Sequence, residues 1–104
     1  MRNAQTKLMP ASEILHLLSE LKAEARQRFK AEIKGLFGSY MRGEEKDESD
    51  IDVLVEFDEG ANLLDLTGLS LFLEEKLNRH VDVVPESTIR KEIKNNILRE
   101  AVFI

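Results

Sequence analysis

Two carboxylates, Asp50 and Asp52, stand one residue apart where an apolar run to Phe57 begins. In a β-strand, residues i and i+2 point to the same face, about 6.6 Å apart along the backbone. We therefore expect the two carboxylates to project together, opposite the apolar side chains at positions 51, 53, 55 and 57. Paired carboxylates are suitable ligands for hard divalent cations such as Mg2+, and these ions suit phosphate substrates. The pair therefore indicates metal-dependent phosphate chemistry.

A turn of small residues, Gly38-Ser39, precedes the acidic pair. Backbone N–H groups in such a turn, together with the serine hydroxyl, can contact phosphate oxygens. A glycine–serine pair alone is a weak signal, so its weight comes from its position ahead of the carboxylates.

A third acid, Asp82, lies in a later apolar run, His80 to Val84. One interpretation is an edge strand whose polar face meets water. The other is a strand paired beside the Asp50–Phe57 strand, which would bring three carboxylates to one surface. Carboxylates placed so near to one another repel, and they need a cation close by to stay ionised.

The elements that would position these residues follow from hydrophobic periodicity and turn signals. The pattern predicts a small mixed sheet of three to four strands with helices packed on it, an α/β (α+β) sandwich. We expect the helical stripes to be core rather than binding surface. The predicted strands are Ile33–Phe37, Asp50–Phe57 and His80–Val84, and Pro85 stops the last of them. The first predicted helix runs from Pro10 to about Phe29, with its start at Ser12, and the second is Leu63–Leu77. A final helix, capped by Ser87 or Thr88, bears Ile89, Ile93, Ile97 and Ala101.

The composition limits the classes of protein to consider. With 104 residues, we expect a single domain spanning residues 1–104, whose modest core could be supplemented by a homo- or hetero-oligomer. The absence of cysteine excludes disulfides and zinc–thiolate sites. A net charge of −5 argues against direct nucleic-acid binding. No long apolar run marks a signal peptide or membrane span, so we expect a cytoplasmic protein without a membrane partner.

Taken together, these residues resemble the nucleotidyltransferase superfamily that includes DNA polymerase beta. More narrowly, the chain is similar to the minimal nucleotidyltransferases, which occur as antitoxins paired with HEPN-domain toxins. The resemblance runs from about Leu36 to the end of the chain. The segments that carry it are Leu36-Phe37-Gly38-Ser39, Arg42-Gly43-Glu44, Ser49-Asp50-Ile51-Asp52-Val53-Leu54-Val55-Glu56-Phe57, Val81-Asp82-Val83-Val84 and Ile97-Leu98-Arg99-Glu100-Ala101-Val102.

The resemblance implies a role for each matching residue. Asp50 and Asp52 would ligate Mg2+, and Asp82 would complete a second metal site and orient or deprotonate the acceptor hydroxyl. The nucleotide-binding residues would be Gly38, Ser39 and Arg42. Two interpretations of Arg42 stay open, a phosphate contact and a pairing with the acidic loop. His80 shares a strand face with Asp82 and has no assigned role, and His16 is expected at the surface.

The function that the resemblance implies is Mg2+-dependent transfer of AMP from ATP to a tyrosine hydroxyl of a cognate HEPN ribonuclease toxin. The chain would then be that toxin's antitoxin. Two alternatives stay open: a binding-only antitoxin whose acidic stretch from Glu44 to Glu59 faces a basic partner surface, and a nucleotidyltransferase acting on a small molecule. The nucleotide preference, the acceptor residue and the number of nucleotides added are not determined by the sequence.

Overall fold

The structure is a computed structural model that describes residues 10–38 and 51–104. Within these residues lie three helices, four strands and one turn of 3-10 helix. In chain order they are α1 (Ala11–Phe29), β1 (Ala31–Phe37), β2 (Ile51–Phe57), α2 (Leu63–Leu77), β3 (Val81–Pro85), the 3-10 turn (Glu86–Thr88), α3 (Lys91–Glu100) and β4 (Val102–Phe103).

The strands form one mixed sheet in the order β3-β2-β1-β4. Strand β1 pairs antiparallel with both β2 and β4, whereas β2 and β3 run parallel. The parallel pair needs a crossover, which α2 supplies. The predicted class, helices packed on a small mixed sheet, is confirmed.

The core lies between one face of the sheet and helices α1 and α2. The strand residues that alternate toward this face, including Ile51, Val53 and Val55, are fully buried, as the sequence pattern predicts. The predicted stripe on α2 is confirmed, since Leu69, Leu73 and Leu77 are buried and Leu66 packs against the cluster. Hydrophobic burial of this one face therefore fixes which way β2 presents its polar residues.

The sheet's second face is also partly covered. Leu54 is fully buried although it alternates with the core-facing residues of β2 and lies outside the main core cluster. It shares its face with Asp52, two residues earlier. The carboxylate of Asp52 therefore stands beside a buried apolar side chain rather than on a fully solvated surface.

The helix ends differ in part from the predicted ones. Helix α1 begins at Ala11 after Pro10, and no side chain caps it, so Ser12 lies inside the helix and is not its start. Proline suits this place because its fixed φ is compatible with a helix start and it has no N–H to satisfy. Helix α2 begins with a reciprocal capping box, in which Asn62 and Asp65 each accept the other's backbone N–H at 3.2 and 3.0 Å.

Strand β3 ends at Pro85, as predicted, with the proline as its last residue, which is tolerated because β3 is an edge strand. The start of the final helix was predicted wrongly. Neither Ser87 nor Thr88 caps the final helix. The Thr88 hydroxyl instead donates to the Pro85 carbonyl at 2.8 Å, and α3 begins only at Lys91 without a side-chain cap.

Strand β4 follows α3 and was not predicted as a separate element. It pairs with β1 at Gly35 and Leu36, next to a register shift between Ile33 and Gly35. The Ile104 amide donates to the Lys34 carbonyl at 2.9 Å. A Cβ on Gly35 would collide with the Val102 carbonyl group, so the glycine allows the chain end to approach β1 closely.

We predict that Gly35→Val detaches β4 from the sheet. The added side chain would meet the backbone of Val102 and Phe103, whose Cα lies 2.9 Å from an ideal Cβ, and rigid backbone cannot yield cheaply. The free energy of unfolding should fall by about 1–3 kcal/mol. Urea denaturation measures this loss, and hydrogen exchange at the Ile104 amide reports the lost pairing.

The matched control is Lys34→Val, which places the same side chain one residue earlier on β1. It removes only a half-exposed ion pair with Glu56 at 3.5 Å, so a change within about 1 kcal/mol is expected. Equal stability of the two variants, with the Ile104 amide still protected in both, would contradict a packing role for Gly35.

Candidate functional site

Three side chains of neighbouring strands lie in register across the second face of the sheet. Phe37 on β1 is the Cα partner of Asp52 on β2, and Asp52 is the Cα partner of Asp82 on β3. Neighbouring strands lie about 4.8 Å apart, and partners in register point to the same face. The structure therefore brings Asp52 and Asp82 together on paired strands. Both interpretations of Asp82 hold, because β3 pairs beside β2 and, as the edge strand of the sheet, leaves Asp82 exposed.

The register of β3 against β2 is fixed by contacts at its first residues. The Ile51 amide donates to the His80 carbonyl at 3.0 Å, and the Val81 amide donates to the Glu74 carboxylate at 3.1 Å. Glu74 belongs to α2, whose C-cap Asn78 adopts the left-handed conformation and turns the chain sharply into β3. Val81 is buried and Asp82 is exposed, so the alternation that the sequence predicts is maintained.

Gly38 follows β1 directly and closes the site on the other side of Asp52. Its φ is +87°, a conformation that side-chain-bearing residues rarely adopt. An ideal Cβ at this position would collide with the Asp52 carboxylate group, with the carboxyl carbon 3.0 Å away. The backbone conformation therefore favours glycine, and any Cβ at this position would displace the Asp52 carboxylate.

The carboxylate pair opens onto a groove of about 330 Å³ between the sheet and the C-terminal helix. Its walls are mostly apolar. Among the described residues the lining consists of Phe37, Asp52, Asp82, Val84, Thr88, Ile89, Arg90, Ile93 and Ile97. An apolar groove with two convergent acids has the composition of a small ligand site.

The donor set fits a hard divalent cation. Asp52 is half-buried and Asp82 is exposed, so both carboxylates are close to solvent yet fixed by paired strands. Mg2+ is typically held by one or two carboxylates plus substrate phosphate oxygens and water. Within residues 10–38 and 51–104 no cluster of three potential metal ligands occurs. The predicted additional ligand, Asp50, lies outside these residues, as do Ser39 and Arg42.

The two histidines lie apart from the groove lining. His80 precedes β3, and its Nε2 is 3.7 Å from the Glu74 carboxylate with the side chain 69% exposed. His16 is exposed on α1 beside Glu20, as expected for a surface residue. The structure therefore gives His80 a position near the start of β3 rather than a place in the lining of the groove.

The prediction that the last helical stripe is core was wrong. No residue of α3 is buried, and Ile93 and Ile97 line the groove instead. Sequence periodicity missed this because an apolar helix face has the same spacing whether it meets a core or a cleft. Two other wall residues carried a usable signal: Val84 is two residues from Asp82, and Phe37 adjoins Gly38.

The matches to known sequences cover the strands that carry Asp52 and Asp82. A family model described as the nucleotidyltransferase domain matches residues 18–104. Protein adenylyltransferase MntA of Thermococcus cleftensis is 40% identical over 97 residues, which cover 93% of this chain and 98% of that protein. A Methanocaldococcus jannaschii protein, MJ0435, named as a candidate protein adenylyltransferase, is 54% identical over 69 residues, or 66% of this chain and 74% of its own length.

Comparison with solved structures supports the same fold. One described as a candidate minimal nucleotidyltransferase is 38% identical, with a TM-score of 0.66 over 82% of this chain and 93% of its own. A toxin–antitoxin structure with AMP-PNP is 22% identical, with a TM-score of 0.63 over 78% of this chain and 67% of its own, and shares the fold. None of the helices in the described ranges is long and apolar enough to cross a membrane.

We predict that Gly38→Ala weakens divalent-cation binding by about 10-fold or more. The new methyl group would displace the Asp52 carboxylate, with which an ideal Cβ collides. Electron paramagnetic resonance of free Mn2+ during a titration, with the nucleotide AMP-PNP present, measures the affinity.

The control is Gly60→Ala, since Gly60 has a φ of +95° but no atom within 4 Å of an ideal Cβ. Both variants should lose about 1–2 kcal/mol of stability because alanine disfavours positive φ. Only Gly38→Ala should lose Mn2+ affinity. Equal affinities in the two variants would show that Gly38 does not position Asp52 for a cation.

Proposed function

Because the chain belongs to the nucleotidyltransferase domain family, we propose that it transfers AMP from ATP to a tyrosine hydroxyl of a HEPN-domain ribonuclease toxin and so acts as its antitoxin. The observation that supports this most strongly is the in-register pairing of Asp52 with Asp82 beside Gly38. The name of the Thermococcus relative, a protein adenylyltransferase, points to a protein as acceptor. The family makes the chain an enzyme of the nucleotidyltransferase class.

In the proposed reaction, the tyrosine oxygen forms a bond to the α-phosphorus of ATP. The bond from that phosphorus to the bridging oxygen breaks, and pyrophosphate leaves with the electron pair. The phenolic proton passes to a carboxylate oxygen, for which Asp82 is the proposed acceptor. The exposed side chain of Asp82, on the edge strand, is accessible to a hydroxyl on a partner protein.

The remaining proposed roles concern the metal and the triphosphate. Asp50, Asp52 and Asp82 would hold Mg2+, which when bound supplies charge neutralisation for the phosphate oxygens. The Gly38–Ser39 turn and Arg42 would contact the triphosphate. The described part fits these roles because the backbone of Gly38 lies directly against Asp52, so one short segment serves both metal and nucleotide. Fixed groups of this kind stabilise charge without reorganising during the reaction.

The partner proposal rests on the resemblance and on the toxin–antitoxin neighbour, whose likeness to this chain concerns the fold. We propose a complex with the toxin in the cytoplasm, without membrane or nucleic-acid contact. The net charge of −5 suits a basic, RNA-binding partner surface and would speed the encounter.

We predict that Asp52→Asn and Asp82→Asn each lower the rate of AMP transfer at least about 100-fold while leaving the fold intact. Removing one charge from the pair weakens cation binding without changing side-chain volume. The measurement is the intact mass of the HEPN partner after incubation with this protein, ATP and Mg2+. A mass gain in whole AMP units identifies transfer, and a tyrosine-to-phenylalanine scan of the partner locates the acceptor.

Glu75→Gln is the matched control, because Glu75 is exposed on α2, outside the groove lining and outside the acidic stretch from Glu44 to Glu59. It should transfer AMP at the unaltered rate. Undiminished transfer by the Asp52 and Asp82 variants would refute the assignment of the site. A stable complex with no mass gain for any variant would instead favour a binding-only antitoxin.

A further inference from the structure

Helix α3 carries an apolar face that the described chain leaves largely uncovered. It is ten residues long, and none of them is buried. Ile93, in its first turn, is 47% exposed, and Ile97 one turn later is only half-buried. Both side chains line the groove that contains Asp52 and Asp82. The apolar face is therefore directed at the carboxylate pair rather than at the core between α1, α2 and the sheet.

The opposite wall of the groove is apolar as well. Phe37 and Val84 contribute from the sheet, where Val84 alternates onto the same face as Asp82. Ile89 adds a third aliphatic side chain at the start of the helix side. The groove thus has two apolar walls and one acidic region. This combination suits an occupant that is flat and mostly apolar, with a single polar group at one end.

Among the described lining residues, Thr88 is the one with an uncharged polar side chain, and its proton is already used. The Thr88 hydroxyl donates its proton to the Pro85 carbonyl at 2.8 Å. Arg90 is exposed and belongs to the rim. An adenine ring carries several hydrogen-bonding groups along its edge, and burying such groups without partners is unfavourable. A phenol carries a single hydroxyl, which can donate a hydrogen bond to one of the carboxylates.

We propose that this groove is the acceptor subsite and that it holds the aromatic ring of the tyrosine to be modified, an inference that rests on the proposed function. The ring lies between Phe37 and Val84 on one side and the isoleucines of α3 on the other. Its hydroxyl then points to the carboxylates of Asp52 and Asp82. A tyrosine ring is a rigid apolar group with one polar tip, which suits apolar walls that end at an acidic region.

The same geometry accounts for a preference among hydroxyl side chains. A serine or threonine hydroxyl is one carbon from its backbone, so it would leave the apolar walls in water while approaching the carboxylates. A tyrosine hydroxyl lies beyond a rigid ring and reaches the acids while the ring covers the walls. The groove therefore selects tyrosine by apolar contact rather than by hydrogen bonding.

The first test separates acceptor binding from nucleotide binding by kinetics. Ile93→Ser removes one wall at a half-exposed position, where misfolding is not expected. With the wild-type acceptor protein, the KM for the acceptor should rise about 10-fold, in keeping with the apolar carbons removed. The KM for ATP should be unchanged. Ile93→Val, which retains most of the wall, should restore most of the acceptor affinity.

The control for this test is Leu64→Ser, since Leu64 is 80% exposed on α2 and outside the groove. It should leave both KM values unchanged. A rise in the KM for ATP with Ile93→Ser, and none for the acceptor, would overturn the proposal and make the groove the adenine site.

The second test does not depend on transfer. Methyl NMR of the isoleucines follows titration of the full chain with p-cresol, the tyrosine side chain alone, and separately with adenosine. We expect p-cresol at tens of millimolar to shift the methyl signals of Ile89, Ile93 and Ile97, whereas adenosine does not. Shifts with adenosine instead, or no shift with p-cresol, would overturn the acceptor subsite. If AMP transfer itself is absent, this titration still decides whether the groove binds a phenol.

Discussion

The parallel pairing of β2 with β3 is the constraint on which the site depends. The two strands are joined through α2, so the chain must cross over the sheet and return before Asp82 can meet Asp52. A slip of one residue would turn Asp82 toward the core and a valine toward solvent, which the burial of Val81 and Val83 opposes. The apolar side of β3 thus holds its acidic side in place, and two hydrogen bonds at the strand's start fix the register.

Two glycines permit close approaches that a larger residue would disturb, at Gly35 by meeting backbone and at Gly38 by displacing a carboxylate. Gly35 lets β4 pair with β1, and Gly38 lets the chain turn against the Asp52 carboxylate. The two approaches lie near the end of one strand, three residues apart. The two positions therefore have different requirements. Gly35 needs space for β4, which contributes to stability, whereas Gly38 needs both space and a positive φ beside the site.

The two faces of the sheet differ in packing and in the residues they present. The face toward α1 and α2 is shielded from solvent, with Ile33, Ile51 and Val53 fully buried. The other face combines a buried Leu54, an acidic pair and an apolar helix that is not buried. Within residues 10–38 and 51–104 the apolar face of α3 stays partly exposed, which leaves some hydrophobic stabilisation unrealised. In the proposed complex, the partner's tyrosine ring supplies the missing contact, so recognition and catalysis share one groove.

Local sequence patterns were enough to predict the order of the elements other than β4, the extent of α2 and the faces of β2 and β3. These follow from alternation and helical spacing, which are local properties of the chain. The residues alone left open whether Asp82 joins Asp50 and Asp52, the resemblance implied that all three acids form one site, and the pairing of β2 with β3 brings Asp52 and Asp82 together. Tertiary structure decided what local pattern leaves open: that α3 borders a cleft, that Thr88 bonds to Pro85 rather than capping a helix, and that Val102–Phe103 adds a strand. The cleft beside α3 and the strand at Val102–Phe103 depend on distant segments, and apolar spacing is the same whether a residue faces a core, a cleft or a partner. The Thr88 bond is local, but a hydroxyl residue suits a turn as well as a helix cap, so residue type alone does not choose between them.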